Sequence, residues 1–215
     1  MPKPYQVQDK YFQLAKERGY RARSAFKLLE IQKKFRLLRQ GQSIVDLGAA
    51  PGSFLQIIAE IVGPQGRVFG VDLQTIDPFP PTHGQAPIQS AVCDIFDKET
   101  VLATLASAGF TKLLDGVTSD LAPKTSGIKD LDTGLSAELT DQAFYLSTLL
   151  LKPGGFFVGK IFEGSEFQKV LKRVKQRFRE VRMFKPEASR DRSYETYIIA
   201  LGFLGDKVRI GALKK

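Results

Sequence analysis

Tryptophan is missing from the 215-residue sequence, and cysteine and histidine occur once each, as Cys93 and His83. A lone cysteine excludes an internal disulfide and a multi-cysteine metal site, and a lone histidine excludes any site that needs two. No apolar run reaches the roughly 18 to 20 residues that span a bilayer. The opening residues, MPKPYQVQDKYFQ, contain no apolar stretch of the kind a signal peptide uses. The expected address is the cytoplasm, or a reducing organelle interior if a transit segment was removed. Repeats and low-complexity tracts are absent too. With 43% hydrophobic and 26% charged residues, the composition fits one sizeable globular core and excludes disorder throughout.

What is present is an uneven charge. The net is +9. Residues 1–40 hold 11 Lys/Arg against 3 Asp/Glu, and residues 169–192 hold 10 against 3. Residues 41–168 are acidic, with 7 against 15. Two basic segments around an acidic centre point to a polyanion, because clustered Lys/Arg release the counterions of phosphates. A membrane surface fits less well, since no strongly apolar face accompanies the basic residues.

The pattern along the chain alternates. A helix is expected from after Asp9 to about Arg18, and a second over Ser24–Leu38 with Ser24 as N-cap. Strands are expected over Ser43–Leu47, Arg67–Asp72, Ile88–Cys93, Gly116–Asp120, Phe156–Phe162, Val181–Phe184 and Thr196–Phe203. Helices are expected over Gly52–Val62, Asp97–Ala108, Ser136–Leu151 and Glu166–Phe178. Residues 75–87 read as a Pro-rich loop, and 122–134 as a flexible polar loop. Strand–helix alternation predicts an α/β fold around a mostly parallel sheet with helices on both faces, ending in an antiparallel hairpin. Three segments follow: a basic helical extension over 1–40, the main domain over 41–205 and a basic tail over 206–215. In open sheets of this kind, ligands sit beyond the carboxyl ends of the strands, near the topological switch point.

One such end carries Asp46-Leu47-Gly48-Ala49-Ala50-Pro51-Gly52-Ser53-Phe54. Gly48 and its small neighbours permit close approach of a ligand to backbone, and Pro51 suits the opening of a helix. The spacing is neither G-x-G-x-x-G nor G-x-x-x-x-G-K-[ST], and no lysine stands ready for a triphosphate. The loop therefore suits a ligand without phosphates, whose carboxylate or amine meets backbone groups. One strand later, Asp72 is placed to accept from two ribose hydroxyls, and Asp94 is placed to border an adenine. The alternative is a bare strand–helix turn.

The D-L-G-A-A-P-G block, V-D-L after the second strand, S-D-L-A-P after the fourth and G-G-x-F-x-x-K in the fifth resemble the RrmJ/FtsJ family of S-adenosylmethionine-dependent RNA ribose 2′-O-methyltransferases. The resemblance runs from about Tyr20 to Phe203, and the bacterial large-subunit rRNA enzymes are similar in length and layout. It implies a Rossmann-like methyltransferase fold with a seven-stranded sheet. It also implies S-adenosylmethionine as cofactor, held by Asp46, Gly48, Ala50, Pro51, Gly52, Ser53, Phe54, Asp72, Leu73, Asp94, Ile95 and Asp120. The bacterial rRNA enzymes tend to read G-G-W where this chain reads Gly52-Ser53-Phe54, so an indole donor is replaced by a phenyl ring.

A ribose 2′-hydroxyl is a poor nucleophile that must be aligned with the methyl and relieved of its proton. A lysine can act as the base, and no metal is required. Lys160 ends the apolar run FFVGKIF, Asp120 ends the neighbouring strand, Glu195 precedes the last strand, and Lys27 lies in YRARSAFKL. Together they resemble the family's Lys-Asp-Lys-Glu tetrad, which implies that Lys160 deprotonates or orients the hydroxyl. Asp120 then holds Lys160, while Lys27 and Glu195 complete the charge network.

Tyr20, Arg21, Arg23, Lys27, Lys172 and Lys175 are candidate RNA contacts. Cys93 reads as a buried strand residue, His83 as solvated, and Phe156, Phe157 and Phe162 as core. The expected substrate is a uridine ribose of 23S-type rRNA in the large ribosomal subunit, met by a monomeric protein with no membrane partner. A tRNA anticodon loop or an mRNA cap is the alternative within the same chemistry. A non-catalytic RNA-binding protein that holds the cofactor is the alternative outside it. A nicotinamide dehydrogenase is opposed by the glycine spacing.

Overall fold

The computed structural model describes residues 10–189 and 193–205. The expected basic tail at 206–215 and the first nine residues of the expected extension lie outside them. Six helices and seven strands are seen: α1 (Lys10–Glu17), α2 (Ser24–Phe35), β1 (Ser43–Leu47), α3 (Ser53–Val62), β2 (Arg67–Asp72), β3 (Ile88–Val92), α4 (Lys98–Ser107), β4 (Leu114–Ser119), α5 (Lys129–Leu150), β5 (Leu151–Phe162), α6 (Phe167–Lys175), β6 (Phe178–Phe184) and β7 (Glu195–Phe203).

The strands form one sheet in the order β3-β2-β1-β4-β5-β7-β6. The pairs among β1 to β5 are parallel. β7 runs antiparallel to both β5 and β6. The chain builds outward from β1 to β3 on one side and then starts again with β4 on the other. The switch point is therefore the gap between the carboxyl ends of β1 and β4. Alternate residues of each strand face opposite layers. One face packs on α4, α5 and α6 through Val101, Leu105, Ala143, Phe144, Val170 and Val174. The other packs on α2 and α3 through Ala25, Leu28, Ile31, Leu55, Ile57 and Ile58. Each such large side chain, fully buried, contributes roughly 1.5–3 kcal/mol. Because α2 supplies part of this core, α2 is a layer of the domain.

Several expected boundaries move, each for a local reason. α2 ends at Phe35 because Arg36 adopts a left-handed conformation. Leu37 and Leu38 are still buried, since the Gln32 side chain bonds both backbone groups of Leu38. Ser24 does not cap α2: Arg23 occupies that position with no side-chain cap, and the Ser24 hydroxyl meets Ser53 Oγ at 2.6 Å. The polar stretch at 122–134 is half helix, as α5 starts at Lys129. Asp130 and Asp132 stand in its first turn, where the helix dipole favours anions. Asp132 also reaches back to the amides of Ser126 and Gly127. β6 begins at Phe178, where α6 was expected to continue, because the Phe178 ring is buried against Phe203, its register partner.

Candidate active site at the carboxyl ends of the strands

The acids and lysines singled out above converge at one end of the sheet. Lys160 and Tyr197 are register partners across β5 and β7, as are Phe162 and Glu195. Directly opposed residues share a face, and so do residues two apart. Lys160, Tyr197 and Glu195 thus rise from the face that α2 covers, and Lys27 of α2 comes down to meet them. Its Nζ lies 2.6 Å from Glu195 Oε1. Lys160 Nζ donates to the backbone carbonyl of Asp120 at 2.6 Å and lies 3.0 Å from Asp120 Oδ1. Lys27 and Lys160 are 8% and 6% exposed, and Glu195 is 8% exposed. Two lysines and two carboxyl groups therefore share a nearly dry space. Such charges persist only when paired and hydrogen-bonded.

Tyr197 binds the four into one network. Its hydroxyl donates to Asp120 Oδ1 at 2.5 Å, and Lys27 Nζ stands 6.0 Å from its ring centre. Burial, then Asp120 and Glu195, push the phenol well above its ordinary value, so it stays a donor. For Asp120, burial is the largest influence and opposes ionisation. Lys160, Lys27 and the Tyr197 hydroxyl outweigh it and hold the carboxyl below its ordinary value. Ser189 Oγ donates to Glu195 Oε1 at 2.8 Å. Tyr197 is the member of this network that sequence reasoning missed. Its position two residues after Glu195, hence on the same face, is the signal that points to it.

The Gly-rich loop lies at the switch point. Gly48 and Gly52 have φ of 76° and 107°, a region that favours glycine. A Cβ on Gly48 would stand 2.4 Å from the Leu121 side chain, just beyond β4. Gly48 and Ala49 donate to the Val71 carbonyl. Ala50 N and Gln74 N donate to the two oxygens of Asp72, each at 2.8 Å. Asp72 thus clamps the loop, and each oxygen keeps a lone pair. Asp94 and Leu73 are exposed at the ends of the next strands, and Ile95 is buried beside Asp94. Ser53 and Phe54 turn inward: Ser53 bonds Ser24, and Phe54 is in the core, so their side chains are not presented to a ligand. Asp46 lies beneath the loop, fully enclosed. It accepts from Thr118 Oγ1 at 2.6 Å, while its other oxygen has no partner. Burial pushes this carboxyl well above the ordinary range, against the Thr118 bond and with the help of Asp120 and Asp72.

The candidate RNA residues separate. Arg21 stacks 3.5 Å from the centre of the Phe79 ring and donates to the carbonyls of Pro51 and Pro78, which fastens the Gly-rich loop to the 75–87 loop. Arg23 donates to the Ala188 carbonyl. Tyr20 packs edge-on to Phe26, and burial and the neighbouring Glu60 push its phenol above the ordinary value. These three stand near the site with their polar groups engaged. Lys172 and Lys175 are exposed on α6. The helix leaves the carboxyl end of β5 and runs back along the sheet, so both lie toward its far end. Among the described residues no helix is long and apolar enough to cross a membrane, and no three His, Cys, Asp or Glu side chains gather as a metal site.

The model of the FtsJ-like methyltransferase family matches residues 20–203. The chain belongs to that family. Its relatives within it include the ribosomal RNA large subunit methyltransferase E of Myxococcus xanthus, 45% identical over 94% of this chain and 92% of that one. The protein of the same name from Chromobacterium violaceum is 43% identical over 91% of this chain and 92% of its own. Among solved structures, one titled as a ribosomal RNA methyltransferase from Plasmodium falciparum superposes with a TM-score of 0.74 at 26% identity, covering 86% of this chain and all of that one. Aeropyrum pernix fibrillarin, solved with natively bound S-adenosyl-L-methionine, has a TM-score of 0.53 at 18% identity over 83% of this chain and 73% of that one, a likeness of fold alone. This FtsJ-like chain is a methyltransferase with a Rossmann-like sheet.

Proposed function

We propose that the protein transfers a methyl group from S-adenosylmethionine to a ribose 2′-hydroxyl of 23S-type rRNA in the large ribosomal subunit, where the family resemblance makes the nucleotide a uridine. The observation that carries this reading is the buried Lys160–Asp120 pair, tied through Tyr197 to Lys27 and Glu195 and set beside the Gly-rich loop.

The residues fit the cofactor. Asp72, Asp94 and Asp120 stand at or just beyond the carboxyl ends of β2, β3 and β4, a setting that favours a cationic ligand over a phosphate. The carbonyls and amides of the backbone from Gly48 to Gly52 suit an ammonium and a carboxylate. The free lone pairs of Asp72 suit two ribose hydroxyls. Leu73, Asp94 and Ile95 suit an adenine edge. When bound, S-adenosylmethionine supplies a methyl on a sulfonium sulfur and takes the bonding electron pair as a neutral thioether.

The chain's own work is positional and protolytic. Two of the tetrahedral directions around Lys160 Nζ are taken by Asp120. The third faces the ribose; there the amine, in its neutral form, uses its lone pair to take the 2′-hydroxyl proton as the oxygen attacks, and becomes an ammonium paired with Asp120. Asp120 stays ionised and keeps the amine fixed, and the Tyr197 hydroxyl keeps Asp120 fixed. Lys27 and Glu195 border the sugar. Orientation of this kind contributes about 7–11 kcal/mol in favourable cases, and a positioned base about 10²–10⁴-fold. Lys172 and Lys175 meet phosphates away from the target nucleotide, which a substrate as large as a ribosomal subunit can present. The reading places the protein in the cytoplasm, where large subunits are assembled, with one copy of the chain as the working unit.

The test is transfer from labelled S-adenosylmethionine to unmodified large subunits and, in parallel, to bulk tRNA, with products mapped by resistance to alkaline cleavage. Alkali-resistant label in large-subunit rRNA alone is the expected result. Label in tRNA would move the assignment to the anticodon-loop reading. Cofactor binding without transfer to either would contradict the assignment.

A further inference from the structure

Beyond the tetrad lies a second cleft of about 370 Å³, lined by Thr125, Lys129, Thr133, Phe162, Ser193 and Tyr194 among others. No role falls to it in the reading above. Its place is set by the strands. Phe162 is two residues beyond Lys160 on β5, about 6.6 Å at the usual strand rise. Tyr194 precedes Glu195, and its carbonyl accepts from Glu163 N at 2.9 Å. The cleft therefore begins where the β5–β7 pair ends, one nucleoside's reach from the Lys160 amine.

Its walls are pre-built. Asp132 holds the amides of Ser126 and Gly127. Ser136 Oγ accepts from Phe162 N at 2.9 Å. Gly164 packs so tightly on Thr133 that a Cβ would stand 2.4 Å from its Oγ1. Against this fixed frame the Tyr194 ring is 51% exposed, and Lys129 Nζ stands 4.4 Å from its centre. Such a ring, with hydroxyls close by and an ammonium over it, has the components by which proteins hold an unstacked base and its phosphate. The volume is within the range of small-ligand sites. Phe162, read above as core, is only half-buried and lines this cleft.

We infer that this cleft receives the base of the nucleotide whose ribose is methylated, stacked on Tyr194, with Lys129 passing from the ring to a neighbouring phosphate. The inference rests on the function proposed above. The base leaves its own stack to enter, so the ring replaces the stacking partner it gives up. Thr125, exposed in the lining of the cleft, offers its hydroxyl to the hydrogen-bonding groups of the base, while the buried Thr133 hydroxyl donates to the Asp130 carbonyl.

The test compares wild-type protein with Tyr194→Ala and Tyr194→Phe on unmodified large subunits, with KM for subunits, kcat, cofactor Kd and thermal melting all measured. Tyr194→Ala is expected to raise KM on the order of 10-fold, with cofactor Kd and melting unchanged, and Tyr194→Phe to recover most of the loss because the ring is kept. The salt dependence of KM should not change, since no phosphate contact is removed. An unchanged KM for Tyr194→Ala would overturn the inference. So would an equal loss in Tyr194→Phe, or a parallel loss of cofactor affinity. If wild-type protein binds the cofactor but leaves the subunits unlabelled, the functional reading itself fails and this inference fails with it.

Discussion

β4 and β5 are joined by two Lys–Asp pairs, one at each end. At the amino end Lys152 Nζ lies 2.5 Å from Asp115 Oδ1, with side chains 50% and 21% exposed. At the carboxyl end Lys160 Nζ lies 3.0 Å from Asp120 Oδ1, with side chains 6% and 16% exposed. The shorter pair is the ordinary one. Water screens it, its expected worth is about 0–1 kcal/mol, and the second oxygen of Asp115 is spent on the Ser43 amide. The longer pair is enclosed, tied to Tyr197 and within the field of Lys27. Identical residue types on the same pair of strands thus differ in burial and partners, a difference that distance alone does not show.

Of Tyr197→Phe, Arg21→Ala and a double lysine variant on α6, the largest loss is expected for Tyr197→Phe. It removes one bond to a buried carboxylate, so kcat should fall about 10-fold or more. Asp120 is held below its ordinary pKa, and its ionised form is lost as pH falls through that lowered value. Without the phenol bond the value rises, so the acid limb of the kcat profile should move to higher pH. A pH profile identical to wild type would show that Asp120 behaves like Asp115.

Next is Arg21→Ala, which frees the Gly-rich loop from the Phe79 stack and from two carbonyl bonds. Cofactor Kd, measured by calorimetry, should rise about 5–10-fold with kcat little altered. The double variant Lys172→Ala with Lys175→Ala should raise KM for subunits only a few-fold. It should also flatten the salt dependence by about two phosphate contacts, at unchanged kcat.

The smallest effect concerns a third carboxylate, one with no lysine partner. Asp46 has a raised pKa, so the folded state holds its proton more tightly than the unfolded chain. That advantage is complete below the ordinary carboxylate range and is lost as pH rises through the raised value. Asp46→Asn in cofactor-free protein should gain melting temperature relative to wild type as pH rises from acid to alkaline. Parallel melting curves would contradict the buried-acid assignment.

Much of this arrangement is legible in the sequence. Apolar strands ending in Asp72 and Asp120, the small residues from Gly48 to Gly52 and the spacing of Lys160 and Glu195 are enough to locate the carboxyl edge. Other features depend on contacts that no local pattern carries. Arg21 and Arg23 read as free cations because the carbonyls that engage them, at Pro51, Pro78 and Ala188, lie about 30 to 165 residues away. The 122–134 stretch reads as loop because capping and loop chemistry use the same residue types; only the reach of Asp132 to Ser126 distinguishes them. Lys172 and Lys175 read as candidate RNA contacts, and their distance from the site is set by the direction of α6, which their local pattern does not carry.

The central claim is that the buried pair, and not its exposed counterpart, carries the chemistry. Lys160→Ala and Lys152→Ala, assayed side by side for alkali-resistant label in large-subunit rRNA at saturating cofactor, test it most directly. The account predicts a loss of about 10²–10⁴-fold for Lys160→Ala with cofactor Kd retained, and wild-type rates within about two-fold for Lys152→Ala. Comparable activity in the two variants would contradict it.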